Sequence, residues 1–254
     1  MKSVWKGYLG FGLVNIPVSL YTATEQNKIN FHLLHKDDNE RIRYNRVCSE
    51  CGKKVQWDDI VKGLEVGKDE YYVLTKEEIN EMKPEGDELI EIHEFVNRRE
   101  IEPIYLTKHY YIGPISGAER PYFLLKGTIG SKDKVAIATF VMREKKYLCM
   151  IQDYKKGLLL SLLHYADEIR DIENVPNIDF DPPKLKENEI ELADQLIEKL
   201  SNTQLNIQKY KDTYTENLKE AIKQKSKGEL ISKRKKKTEK TEDLIASLKA
   251  SVEK

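Results

Sequence analysis

Cysteine is scarce in this chain of 254 residues: there are three, two of them in Cys48-x-x-Cys51. So few exclude a disulfide framework and fit a reducing compartment, so the expected location is the cytoplasm. Long apolar runs are lacking too. No stretch approaches the roughly 18–20 residues that a membrane-spanning helix needs. The opening MKSVWKGYLGFGLVNIPVSL alternates apolar with other residues, is interrupted by Gly and Pro, and has no small-residue cleavage site, so it reads as folded chain and not as a signal peptide. Several catalytic signatures are missing as well. There is no G-x-x-x-x-G-K-[ST], no G-x-S-x-G, no H-E-x-x-H and no G-x-G-x-x-G. Carboxylates crowd residues 77–102, yet nothing marks a matched acid/base pair. A metal-dependent nuclease built on them is the minor reading, and a binding protein rather than an enzyme is the main one.

Net charge is absent in total but not in distribution. Lys and Arg number 43, and so do Asp and Glu. Residues 28–54 hold seven basic against four acidic side chains, 55–105 six against fifteen, 106–156 ten against four, and 223–240 nine against two. A chain segregated in this way presents basic surface while staying neutral overall, although solvated faces that merely cluster would give the same count.

The first two-thirds read mainly as β. Residues 4–9 and 14–21 alternate around Gly10 and Gly12, and 71–74 and 89–96 are short strand candidates. Thr75 has the character of an N-cap, with Glu77 and Glu78 in the first turn of a short helix that ends near Pro84. Pro121 suits the first turn of another. Two stronger strands, 134–142 and 146–152, are joined by Arg143-Glu144-Lys145. Many short strands with turn signals predict a barrel or a twisted sheet with helical insertions. After Asp181-Pro182-Pro183 the period becomes helical, first through Ile190, Ala193, Leu196, Ile197 and Leu200, then through Tyr210, Tyr214, Leu218, Ala221 and Ile222, with a polar turn at Ser201-Asn202. Residues 223–240 are Lys-rich and nearly without apolar side chains, the composition of a disordered segment. A short apolar face follows at Leu244, Ile245, Leu248 and Val252. The expected division is 1–185 as core, 186–226 as helical region, and 227–254 as a flexible basic tail with a short terminal helix.

Two chemistries overlap in residues 31–55. Cys48-Ser49-Glu50-Cys51-Gly52 has the form of a metal knuckle, and a structural zinc takes four ligands. His32 and His35 would complete it, but on a strand they point to opposite faces. The candidate set is therefore Cys48, Cys51 and His35, with His32 or Asp38 as the fourth; the alternative is two small thiols and a histidine with ordinary hydrogen bonds. On an extended strand Arg41 and Arg43 share one face, Ile42 and Tyr44 pack inward, and Arg46 adds a third guanidinium. Such a ribbon suits phosphates, unless Asp37, Asp38 or Glu40 pairs with the arginines.

Trp5-x-Gly7-x-x-x-Phe11-Gly12-Leu13-Val14-Asn15-Ile16-Pro17-Val18 resembles the start of the bacterial and archaeal Ku proteins. Phe31-His32-x-x-His35, Arg41-Ile42-Arg43-Tyr44 and Val47-Cys48-x-x-Cys51-Gly52 match that family's next block. Val135-Ala136-Ile137-Ala138-x-Phe140-Val141 and Tyr165-Ala166-Asp167-Glu168-Ile169-Arg170 continue it, and the ending 243–252 is similar to Ku tails. The resemblance implies a mixed β/α fold: a β-barrel core with extended arms, then C-terminal α-helices and a basic tail. It implies a homodimeric ring at the nucleoid that binds double-stranded DNA ends without sequence specificity. It also implies recruitment of an ATP-dependent DNA ligase for non-homologous end joining. The candidate DNA contacts are Arg41, Arg43, Arg46, Lys132, Lys134, Arg143, Lys145 and Lys146, with Lys233, Arg234, Lys235, Lys236 and Lys237 of the tail as weaker ones. Some relatives carry a further Cys in the loop where this chain has Asp37-Asp38-Asn39, which leaves the fourth zinc ligand open. A zinc-ribbon-type nucleic-acid adaptor without end preference is the alternative, and a scaffold whose basic tail binds an acidic partner or RNA is the third reading.

Overall fold

The computed structural model of the protein describes residues 1–26, 29–84, 88–178 and 184–226. In chain order it contains β1 (Trp5–Phe11), β2 (Val14–Thr22), β3 (Lys62–Gly67), β4 (Glu70–Leu74), α1 (Lys76–Glu81), β5 (Leu89–Asn97), β6 (Leu106–Pro114), α2 (Glu119–Ser131), β7 (Lys134–Met142), β8 (Lys145–Tyr154), β9 (Gly157–Leu163), α3 (Glu187–Leu200) and α4 (Thr213–Ser226). Seven strands close a barrel in the order β1-β2-β6-β9-β8-β7-β5, and β3 pairs with β4 in a separate ribbon. The seam between β1 and β5 is parallel; the other barrel pairings are antiparallel. The unit holding the barrel takes in Met1–Gln26 and Phe31–Asp171, and α3 and α4 belong to a second unit.

Alternation in the sequence becomes inside and outside in the barrel. Leu9, Ile16, Val18, Leu20 and Ile90 all lie inside, while Tyr8 and Lys6 face out. Register sets inward residues opposite each other: Leu9 beside Ile16 and Ile90, Ala136 beside Ile151, Ala138 beside Cys149, Ile151 beside Leu160. Small residues on β7, Ala136 and Ala138, face larger ones on β8, the pairing of sizes that suits the inside of a small barrel. Gly7 is demanded by the seam: a Cβ there would stand 2.2 Å from the Glu88 carbonyl oxygen and 2.5 Å from the Trp5 ring.

One face of the α2 segment, Ala118, Tyr122, Leu125 and Ile129, joins the same core. The Tyr122 hydroxyl donates to the Ile112 carbonyl (2.7 Å) and accepts from the Leu158 N–H (2.8 Å), tying α2 to β6 and β9. Burial pushes its pKa up.

Strands β3, β6 and β9 are additions to the sequence reading. Strand β9 (GLLLSLL) is buried at six of its seven positions, so it has no alternation to betray it. The two C-terminal helices are parted by residues 201–212, including a 3-10 turn at Ile207–Lys209, so Tyr210 precedes α4 instead of lying within it. The segment expected as a strand through Arg41–Arg46 carries only isolated bridges.

Candidate nucleic-acid interface

Two small loops set end to end build the arginine segment. In the first, Leu34 bridges Arg41, the His35 N–H donates to the Glu40 carbonyl (2.8 Å) and the Ile42 N–H to that of Leu33 (3.0 Å), the chain turning through Asn39 at φ 59°. In the second, Val47 bridges Lys54, and the Val55 N–H donates to the Arg46 carbonyl (3.0 Å). Neither loop joins a sheet, so the segment has no inward side. Ile42 and Tyr44, expected to pack inward, are 44% and 81% exposed. Arg41, Arg43 and Arg46 are exposed as well. Two of the three neighbouring carboxylates, Asp38 and Asp37, lie by His35 instead, 2.9 Å and 3.7 Å from its ring nitrogens. Among the described residues no carboxylate pairs with any of the three arginines. The Arg46 guanidinium lies 4.0 Å from the centre of the Trp57 ring, a stacking that orders it while leaving its charge free.

Cys48 and Cys51 sit at the tip of the second loop. The Gly52 N–H donates to the Cys48 carbonyl (3.0 Å) with Gly52 at φ 67°, and the Cys48 N–H donates to the Lys53 carbonyl (2.9 Å). Hydrogen bonds from the Cys51 and Glu50 backbone, then from the Cys51 side chain, hold the Cys48 thiol below its ordinary range. This favours thiolate, the form a metal takes. The rest of the set does not assemble. His35 is bound to Asp38, whose own pKa is lowered by the Glu40 N–H and by that imidazole. Among the described residues no three His, Cys, Asp or Glu side chains gather to hold an ion. The knuckle thus offers two of the four donors of a structural zinc.

The candidate DNA-contacting lysines and arginine of the barrel divide between its two ends. Arg143 and Glu144 form the β7–β8 turn, both in the left-handed region at φ 52° and 65°, with Lys145 and Lys146 opening β8. Glu144 is neutralised by Lys83 at 2.7 Å, so the tip keeps its basic character. Lys132 and Lys134 lie at the other end of β7, about 26 Å away at roughly 3.3 Å per residue. Strand register brings further cations to that end. Lys134 pairs with Asn97, just before Arg98 and Arg99, and the β8–β9 turn there is Lys155-Lys156. These four are exposed, and adjacent basic pairs next to strand ends are the signal that could have found them. Beside Lys132 and Lys134 opens an apolar groove of about 530 Å³ walled by Phe11, Val14, Phe95 and Leu124. Lys233, Arg234, Lys235, Lys236 and Lys237 lie outside the described residues. Among the described residues no helix is long and apolar enough to cross a membrane.

Comparison with known proteins agrees with this architecture. The family model described as the Ku70/Ku80 beta-barrel domain matches residues 10–197. The Non-homologous end joining protein Ku of Archaeoglobus fulgidus is 40% identical over 255 residues, covering 100% of this chain and 99% of the relative. That of Bacillus subtilis is 36% identical over 257 residues, covering 100% and 82%. The Protein Ku of Mycobacterium phage Omega is 37% identical over 254 residues, covering 99% and 86%. A seven-stranded barrel, a family match over most of its length and relatives aligned nearly end to end lead to one conclusion: the chain belongs to the Ku family.

Proposed function

We propose that the protein is a homodimeric ring that threads the end of a double-stranded DNA, holds it through phosphate contacts, and recruits an ATP-dependent DNA ligase in non-homologous end joining. The observation that carries this beyond family membership is the set of exposed arginines, Arg41, Arg43 and Arg46, without carboxylate partners among the described residues. Guanidinium groups left unpaired in solvent bind phosphates on any sequence, which is what end binding without base readout needs. Lys132, Lys134, Arg143, Lys145 and Lys146, with Arg98, Arg99, Lys155 and Lys156, extend the basic surface on the barrel. The names of the relatives support the repair role. Assembly is supported by uncovered apolar surface. Phe11, Val14 and Phe95 on the barrel and Leu124 on α2 are 37–71% exposed, and Ile190, Ile197 and Leu200 are exposed along α3, which buries no residue. The groove is the candidate surface for the second copy, and α3 is a candidate for the ligase. Sedimentation should give a dimer mass, and a linear duplex blocked at both ends by biotin–streptavidin should lose binding. A monomer, or undiminished binding to the blocked duplex, contradicts the ring.

The second reading is an adaptor that binds nucleic acid side-on, with a metal at the Cys48–Cys51 turn. The lowered Cys48 thiol pKa favours it. It requires one zinc per chain by elemental analysis together with equal affinity for blocked and free duplexes.

A further inference from the structure

The outer face of the barrel carries an aromatic patch, set beside Lys155 and Lys156, that phosphate binding to a duplex does not use. Tyr111 on β6 and Tyr154 at the end of β8 stack with ring centroids 6.2 Å apart and planes 21° from parallel, each 37% exposed. Phe123, on the first turns of α2, is 52% exposed and lines the same depression of about 390 Å³. Gly113, Pro114 and Gly157 are also among its lining residues. A Cβ on Gly157 would stand 3.1 Å from the Tyr122 hydroxyl, so Gly157 leaves room for that hydroxyl to reach the Leu158 N–H. At the rim are Lys155 and Lys156, the two residues of the β8–β9 turn, with the Lys155 ammonium 5.2 Å from the centre of the Tyr154 ring.

The charges around the patch are arranged to stay available. Asp153, next in sequence, is taken by Lys126 at 2.6 Å. Among the described residues neither Lys155 nor Lys156 has a carboxylate partner, and the Tyr111 and Tyr154 hydroxyls have no hydrogen-bond partner. The buried Tyr122 differs, its hydroxyl being fully engaged. Tyrosines are common on outward strand positions because they fit a pleated surface, and a single one needs no further explanation. Two stacked rings, a third facing the same hollow and two unpaired lysines at its edge form a more specific set. Aromatic faces beside lysines are how unpaired nucleotides are held without sequence preference, the bases on the rings and the phosphates on the cations.

We propose that Tyr111, Tyr154 and Phe123, with Lys155 and Lys156, bind the single-stranded overhang of a DNA end. The site lies at the same barrel end as Lys132 and Lys134, and it shares Lys155 and Lys156 with the basic surface assigned to the duplex. A tail of a few nucleotides leaving the duplex there meets the rings next. This inference rests on the end-binding reading, and the experiment separates the two. Full-length protein is titrated at about 0.15 M salt with a blunt duplex and with the same duplex bearing a tail of about six nucleotides that contains 2-aminopurine. The tail is expected to tighten binding about tenfold and to quench the 2-aminopurine on stacking. Tyr111→Leu with Tyr154→Leu should remove both effects and leave blunt-duplex affinity unchanged. Equal affinity for blunt and tailed duplexes without quenching by the wild-type protein overturns the site, and so does quenching that survives in the double variant. Failure of the blunt duplex to bind better than a covalently closed circle overturns the underlying reading instead.

Discussion

Single residues carry three separable predictions. Tyr122 satisfies a buried carbonyl and a buried N–H at once. Tyr122→Phe deprives both of that partner and should cost about 1–3 kcal/mol in denaturant melts with the fold retained. The three cysteines should differ sharply in reactivity. Cys149 is fully buried, donates to the Ala138 carbonyl (3.4 Å) and has its thiol pushed far up by burial, whereas Cys48 is held low and Cys51 is exposed. An aromatic disulfide reagent should therefore titrate two thiols in the native protein, Cys48 and Cys51, and Cys149 only after unfolding. One tightly held zinc shielding Cys48 and Cys51 would contradict that count. For the arginines, Arg41→Gln with Arg43→Gln should lower the slope of log affinity against log salt by about 1.8, or ~0.9 for each phosphate no longer neutralised. An unchanged slope would place DNA elsewhere.

Elements show where sequence reasoning succeeds and where it stops. The cap of α1 was legible because its parts are local: the Glu78 N–H donates to the Thr75 hydroxyl (3.2 Å), and the Thr75 N–H donates to the Glu78 carboxylate (2.8 Å). The backbone bond from Thr75, then that from its hydroxyl, lowers the Glu78 pKa below its ordinary 4.5. A depressed carboxylate stabilises above the unfolded value and stops doing so as pH falls through the folded one. Exchange protection of the first turn of α1 should thus hold above about pH 4.5 and decline below it. Glu78→Gln should remove that decline. Strands β1 and β2 were legible from alternation, and β4, β5, β7 and β8 as short apolar runs between turn signals. Strand β9 was not, because nearly all of it is buried, and β6 was not, because Tyr110 is inside while the adjacent Tyr111 is outside, so identical residues conceal the period. For the site, the sequence marked Arg41, Arg43 and Arg46 but could not show that Asp37 and Asp38 would turn to His35. Nor could it bring Arg98, Arg99, Lys155 and Lys156 to the barrel end of Lys134, because register between distant strands decides that.

At the scale of the whole molecule, balanced charge and segregated sign fit a body that grips DNA locally without being pulled onto every polyanion. The tail, residues 227–254, holds Lys233, Arg234, Lys235, Lys236 and Lys237. Deleting it should flatten the salt dependence and leave end preference intact, because in the proposed ring threading depends on the closed body and the tail adds only screened contacts. A truncated protein without preference for ends would move the recognition itself to the tail. The most direct test of the account is retention of one duplex in two forms, linear and covalently closed, at about 0.15 M salt. A ring threaded from an end predicts strong retention on the linear form and little on the circle; equal retention on both would contradict it.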